Sequence, residues 1–363
     1  MDSLSLFDFL KAPLKIDKPI RLIELFAGIG SQAKALKRLG ADFEHYRVCE
    51  FNKYAIRSYN AIHGTDFVTS DVTKITADDL GIVDTDKYCY ILTYSFPCQD
   101  LSLAGKGKGM AKDSGTRSGL LWEVERLLNE CGELPRILLM ENVTQVHGKK
   151  NKAHFDKWIE FLVSKGYSNY WEDLNAKNFG IPQNRNRTFM VSVLGEYIYH
   201  FPKGFPLKLR LKDFLEDMVD ERFYLGDKFV KENHVTVTAF DEPLAYDEQN
   251  RYIRKDGTVG TLTTDGSSPK HNNRVIEPQI KRVGKINSSQ DGVVVCSSGI
   301  APTHTAGHGN TPKVMEGSRV RKLTPKECWR VMGFDDIDFE KAGTVNRAAA
   351  VIASRMPSHR LVL

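Results

Sequence analysis

The stretch IRLIELFAGIGSQAKALKRLG, Ile20 to Gly40, decides the fold. IRLIELFAG (20–28) is an apolar run that ends in glycine, the pattern of a buried strand. SQAKALKRLG (31–40) carries apolar residues at helical spacing and closes on Gly40. The same alternation continues outward. HYRVCE (45–50) reads as a strand, NKYAIRSYNAIHG (52–64) as a helix and DFVTSD (66–71) as a short strand. KYCYILTYS (87–95), RILLMEN (136–142) and RTFMVSVLG (187–195) read as further strands. SGLLWEVERLLNECG (118–132) and AHFDKWIEFLVSKG (153–166) are the helices between them. This order predicts an α/β domain with a mainly parallel sheet. Ligands of such sheets sit beyond the carboxyl ends of the strands. Gly28, Glu50, Cys98 and Glu141 all fall at those ends.

The whole chain sets broad limits. Its 363 residues suit one large domain plus a smaller one. A hydrophobic content of 41% and a charged content of 27% are those of a globular protein. The net charge of +5 permits a nucleic-acid partner without requiring one. The six cysteines are Cys49, Cys89, Cys98, Cys131, Cys296 and Cys328, with long, uneven gaps and no CxxC pair. Neither a metal site nor a disulfide framework is expected. MDSLSLFDFLKAP at the start has an early acid and no basic region, unlike a secretion signal. No apolar run approaches the roughly 18 residues of a membrane span. A reducing cytoplasm is the expected compartment.

After residue 200 helical periodicity fades, and Gly, Ser, Thr, Asn and His accumulate at 255–275 and 284–311. GTLTTDGSSPK (260–270) and PTHTAGHGNTPK (302–313) resemble each other as two strand-turn pieces. From Pro302 to Arg330 six Lys and Arg stand against two acids. Phosphate contacts and a solvated surface fit that bias equally well.

ELFAGIG (24–30) lets a ligand approach the backbone at Gly28 and Gly30, but the full GxGxxG pattern is missing. Glu50 ends the second strand about 20 residues on, where a ribose diol is held in such folds. Asp71 follows the next run, where a carboxylate can accept from an adenine amino group. Together they predict an adenosine-containing cofactor. Cys98 sits in YSFPCQDLSLAG (94–105), after proline and among polar residues. No histidine is placed to serve it as a base, so a hydrolase pair is excluded. With Glu141 across the sheet top, a thiolate and a carboxylic acid suit addition to an electron-poor ring. In NFGIPQNRNRTFMV (178–191), Arg185 and Arg187 alternate into a strand, so both guanidiniums face one side.

FAGIG, SFPCQ, ENV and QNRNR, in that order, resemble the cytosine-5 DNA methyltransferase family of bacterial or phage type. RKLTPKECWRVMGF (321–334) resembles the segment that follows target recognition in that family, and RVGK to GIAPTHTAGHGN (282–310) the end of its recognition domain. The resemblance covers residues 20–335. It implies a Rossmann-like S-adenosylmethionine-dependent methyltransferase domain with a smaller, loop-rich target recognition domain. The implied divisions are an extension at 1–19, a catalytic domain at 20–199, target recognition at 200–315 and a return at 316–363.

By the resemblance, Cys98 adds to carbon 6 of a flipped cytosine, and carbon 5 becomes nucleophilic. Glu141 would hold ring nitrogen 3 and the amino group. Arg187 would bind the ring carbonyl, and Arg185 would place Cys98 and a phosphate. S-adenosylmethionine would lie against Phe26, Gly28, Gly30, Glu50, Asp71 and Pro97, leaving S-adenosylhomocysteine, with no metal. Double-stranded DNA would meet Gln183 and Arg321, and Ser289 or Gln290 would fill the gap left by the flipped base. DLSLAGKGKGMAKDSGTRSGL (100–120) would close over the site. A monomer paired with a restriction endonuclease of the same target is the family habit.

Two departures stand out. His304 occupies a position where relatives usually carry leucine. After MGFDDIDFEKAGT the chain reads VNRAAAVIASRMPSHRLVL, without the family's Gly-Asn-Ser, which predicts weakened cofactor binding. An RNA-methylating enzyme of the same family and a catalytically impaired DNA-binding relative are the alternatives. The long 200–315 segment favours DNA. A nicotinamide dehydrogenase is excluded, because it would leave the cysteine, glutamate and arginines without work.

Overall fold

The computed structural model describes residues 12–98, 100–101, 109–112, 114–224 and 319–345, with strand segments 244–247, 252–254, 274–276, 282–285, 293–296, 301–302 and 313–316 between the last two. Ser289, Gln290, His304 and the atypical tail lie outside the described residues.

Six strands form the central sheet: β1 (Ile20–Leu25), β2 (Phe43–Cys49), β3 (Cys89–Tyr94), β4 (Ile137–Asn142), β5 (Tyr167–Asn175) and β6 (Asn186–Leu194). Their spatial order is β2-β1-β3-β4-β6-β5. The first four run parallel, and β6 is antiparallel to both its neighbours. The order reverses beside β1, so the β1 and β3 ends open onto a common crevice.

The helices are α1 (Ser31–Arg38), α2 (Lys53–His63), α3 (Leu121–Glu130) and α4 (Lys152–Ser164). Asn52 caps α2 by accepting from the Tyr54 and Ala55 amides, and Gly64 ends it at φ 74°. Leu22 and Ile91 pack under Ala33 and Leu36 of α1. On the other face Leu138, Met140 and Met190 pack against Leu121 and Val124 of α3 and Phe155, Trp158 and Leu162 of α4. Two apolar faces of one sheet thus find two helical layers, and β3 is buried along its whole length.

The chain returns to this domain late. α5 (Pro325–Val331) opens with a capping box between Thr324 and Glu327, with Pro325 in its first turn. Its Cys328, Trp329 and Val331 share a core with Ile29 and Ile62. α6 (Asp336–Val345) is anchored to α1 by Lys34, whose Nζ lies 2.7 Å from both Asp335 and Asp338.

The structure corrects two sequence expectations. DFVTSD is not a strand: it is extended chain, tied by the Ser70 amide to the Glu50 carbonyl and by Asn60 to the Phe67 carbonyl. Tyr167–Asn175, unassigned by periodicity, is the edge strand β5. Its outer residues are half-exposed, so its hydrophobic alternation is weak.

Candidate active site

Glu24, next to the end of β1, is fully buried, and its carboxylate accepts from the Tyr59 hydroxyl at 2.5 Å and the Ala33 amide at 3.3 Å. Burial raises it to about 7. Above it the chain turns through Phe26 (φ 58°), Gly28 (φ 59°) and Gly30 (φ 79°). A left-handed Phe is costly by about 1–3 kcal/mol and marks a backbone bent for a purpose. A Cβ on Gly30 would lie 2.3 Å from His63 Nε2 and 2.6 Å from Tyr59, so no side chain fits there. Gly30 is the residue before α1 and has no side chain to cap it; the Glu24 carboxylate takes the Ala33 amide of the first turn instead.

Glu50 faces this turn. Its Oε2 accepts from the Gly28 amide at 3.0 Å and its Oε1 from the Asn52 amide at 2.7 Å. Asp71 accepts from the amide and hydroxyl of Thr73 through Oδ1 alone, and both bonds hold it below the ordinary carboxylate range. Two anchored acids beside a glycine turn fit an adenosyl group, with backbone at the polar chain and carboxylates at ribose and adenine. Phe51, directly after Glu50, is 78% exposed. Neither periodicity nor a local motif marks it in the sequence. An aromatic that stays exposed beside an anchored acid is the signal that would have found it.

The second half of the site begins where β3 ends. Ser95 Oγ accepts from Gln32 of α1 at 3.1 Å, and the Phe96 carbonyl accepts from Asn142 at 3.0 Å. The Pro97 carbonyl accepts from Ser118 at 2.7 Å. SFPC is therefore held from three sides, and Cys98 follows with a partly exposed thiol. Asp100 accepts from the amides of Arg117 and Ser118, which ties together the two ends of the expected lid. Residues 102–108 and 113 of that segment are outside the described residues.

Glu141 and Asn142 end β4, and Phe189 and Thr188 of β6 lie opposite them. Glu141 Oε1 is 3.2 Å from Arg187 Nε and 3.8 Å from Arg185 Nη2. Glu141 and Arg185 are each only 3% exposed. Burial and the charge of Arg187 both push the Arg185 guanidinium down. Neither of its Nη atoms makes a hydrogen bond among the described residues. Burial pushes the Cys98 thiol up and Glu141 adds to that, while Arg187 and Arg185 pull it back. The structure thus brings Cys98, Glu141, Arg185 and Arg187 within one electrostatic neighbourhood.

Two expected DNA contacts stand differently. Gln183 is buried, on a short strand (Gln183–Asn184) paired in parallel with Ala301–Pro302. Arg321 is fully buried. Its two guanidinium nitrogens each sit 2.8 Å from a Glu327 oxygen. Glu327 also accepts from the Thr324 and Glu216 amides, so the Arg321–Glu327 pair closes a structural corner.

The profile of the C-5 cytosine-specific DNA methylase family matches residues 20–354. The chain belongs to that family, whose members use S-adenosylmethionine. It is 32% identical to the type II methyltransferase M2.ScrFI of Lactococcus lactis subsp. cremoris, over 89% of this chain and 91% of that one. It is also 32% identical to the orphan methyltransferase M.SssI of Spiroplasma monobiae, over 90% of each. Among solved structures, the Dnmt2 methyltransferase of S. pombe shares the fold with a TM-score of 0.63 at 17% identity, covering 94% of this chain and 95% of that one.

Proposed function

We propose that this chain methylates carbon 5 of cytosine within a specific duplex DNA sequence, through a covalent bond between Cys98 and a flipped base. The observation that carries this reading is Cys98 beside one buried carboxylate and two guanidiniums at the ends of β3, β4 and β6. Phe26, Gly28, Gly30, Glu50, Asp71 and Pro97 would hold S-adenosylmethionine, with Phe51 against the adenine face. When bound, that group supplies the methyl.

The protein's own residues do the rest. The Cys98 thiol loses its proton and its sulfur adds to carbon 6, which pushes the ring electrons toward carbon 5. Glu141 meets nitrogen 3 and carries the proton that neutralises the ring. A thiolate and a carboxylate side by side repel, so a proton on the Glu141–ring pair favours sulfur attack. Arg187 donates to the ring carbonyl, and Arg185 offers its unused donors to the same edge or to a phosphate. Once carbon 5 is methylated it loses its proton, the electrons return, and the carbon–sulfur bond breaks to free Cys98.

Residues 200–315 would read the target, with Gln183 near the flipped base and Ser289 or Gln290 in the vacated stack. The basic stretch ahead of Arg330 suits phosphates. A companion endonuclease, a monomeric state and a cytoplasmic setting complete the reading. The test is transfer of labelled methyl groups to mixed-sequence duplex DNA, with RNA and Cys98→Ser as controls. Label recovered as 5-methylcytosine in DNA, absent from Cys98→Ser, supports the assignment. Label in RNA alone sinks it.

A further inference from the structure

We propose that Asp173 is a positioning residue: it ties Thr188 to His147 on the back of the sheet and so holds Arg187 against Glu141. This deepens the reaction assigned above and rests on it. Side chains alternate along a strand, and directly opposed residues share a face. Glu141 opposes Phe189, so Arg187, two residues from Phe189, lies on the face of Glu141. Asn142, Thr188 and Asp173 oppose one another across β4, β6 and β5 and form a polar row on the other face. That row lies directly behind the reacting pair.

Each member of the row is hydrogen bonded. Asn142 Nδ2 donates to the Phe96 carbonyl, two residues before Cys98, at 3.0 Å. Thr188 Oγ1 donates to Asp173 Oδ1 at 2.5 Å. His147 Nε2 lies 3.1 Å from the same oxygen and 3.2 Å from Oδ2. The His147 ring packs on Trp171, with centroids 4.6 Å apart. His147 ends the 3-10 turn Thr144–His147 that β4 enters as it leaves the sheet.

The ladder shows why a clamp is needed here. β4 pairs with β6 only as far as Asn142 and Thr188. Arg187 is one residue beyond, and among the described residues its ladder partner is Leu174 of β5 alone. Backbone hydrogen bonds therefore hold Arg187 from one side. Asp173 supplies the other tie, because it joins the β6 residue next to Arg187 to the turn that carries β4 away. Thr188 is fully buried, so loss of its partner would leave a buried hydroxyl to find another and would let the strand end shift.

The test reads the ionisation of Cys98, which Arg187 favours. Its alkylation would be followed against pH in Thr188→Val, Asp173→Ala, His147→Phe and Asp173→Asn. The His147→Phe change keeps the ring on Trp171 and removes only the hydrogen bond. Retreat of Arg187 moves the midpoint upward in the first three, and Asp173→Asn, which retains both contacts, recovers most of the shift. In parallel, kcat falls about ten-fold while KM for S-adenosylmethionine stays within about two-fold. An unchanged midpoint in both Thr188→Val and Asp173→Ala, with melting temperatures preserved, overturns the proposal. If the midpoints shift but the unaltered protein transfers no methyl, the positioning role stands and the assigned reaction falls.

Discussion

Arg187 Nε lies 3.2 Å from Glu141 Oε1 where the β4–β6 ladder ends, and the two side chains act on Cys98 with opposite sign. Glu141 raises the thiol and Arg187 lowers it. Glu141→Gln is therefore expected to move Cys98 ionisation down, and Arg187→Ala to move it up, in an alkylation–pH profile. Both should still lose methyl transfer, by about 10²–10⁴ for the carboxylate if it manages a proton. Shifts of the same sign in the two variants would contradict the geometry.

Free Cys98 should react slowly near neutrality. Burial holds its pKa above the ordinary thiol value, so the thiolate fraction grows only as pH rises beyond that value. Iodoacetamide should label Cys98 faster with each step of increasing pH through that range. Rapid labelling that is flat from neutral pH upward would show a preformed thiolate instead.

Gly30 carries two constraints at once, a left-handed φ of 79° and no room for a methyl group beside His63 and Tyr59. Gly30→Ala should cost roughly 1–3 kcal/mol and weaken S-adenosylmethionine binding measured by calorimetry. Adding His63→Ala removes the tighter clash and leaves the Tyr59 contact and the φ penalty, so binding should recover only in part. Full affinity in the single variant would sever the glycine turn from the cofactor.

Stability against pH should show two opposed contributions near this turn. Glu24 is raised from 4.5 to about 7, so its contribution is complete below 4.5 and is lost as pH rises through 7. His63 is lowered from 6.5 to about 4, so its contribution is complete above 6.5 and is lost as pH falls through 4. In Glu24→Gln the first slope disappears, and the stability of the variant relative to the unaltered protein should climb by on the order of 3 kcal/mol across that window. Urea unfolding at stepped pH measures this, and a flat difference would remove Glu24 as its cause.

Arg321 and Glu327 should behave as a structural pair. Breaking it with Glu327→Gln or Arg321→Ala leaves an uncompensated buried group and should cost about 3–5 kcal/mol of stability. The salt dependence of DNA binding should keep its slope, because no phosphate contact is lost. A slope reduced by about one in Arg321→Ala, without a change in melting temperature, would return that residue to the DNA surface.

Some of this was legible in order and spacing alone. The α/β class followed from apolar runs alternating with helical periodicity, and IRLIELFAG followed by SQAKALKRLG placed a glycine turn at a strand end before any contact was known. Cys98, Glu141, Arg185 and Arg187 were readable because each sits at or next to a strand end, in local motifs whose chemistry converges. Strand periodicity also put Arg185 and Arg187 on one side. These are properties of neighbours along the chain, and the chain states them directly.

Only tertiary structure decided where long-range partners lie. DFVTSD has strand composition yet stays out of the sheet, since its backbone groups are taken by Glu50 and Asn60. β5, weakly patterned, becomes a strand because β6 offers it a full ladder. Arg321, a basic residue ahead of a helix, turns inward because the Glu327 carboxylate meets its guanidinium there. The Asn142–Thr188–Asp173 row behind the site had no sequence signal either, for its members come from three strands and align only through register. Sequence determined which chemistry the chain carries at each strand end. Packing and register decided which of those groups face one another, because burial and pairing energies depend on residues far apart in the chain.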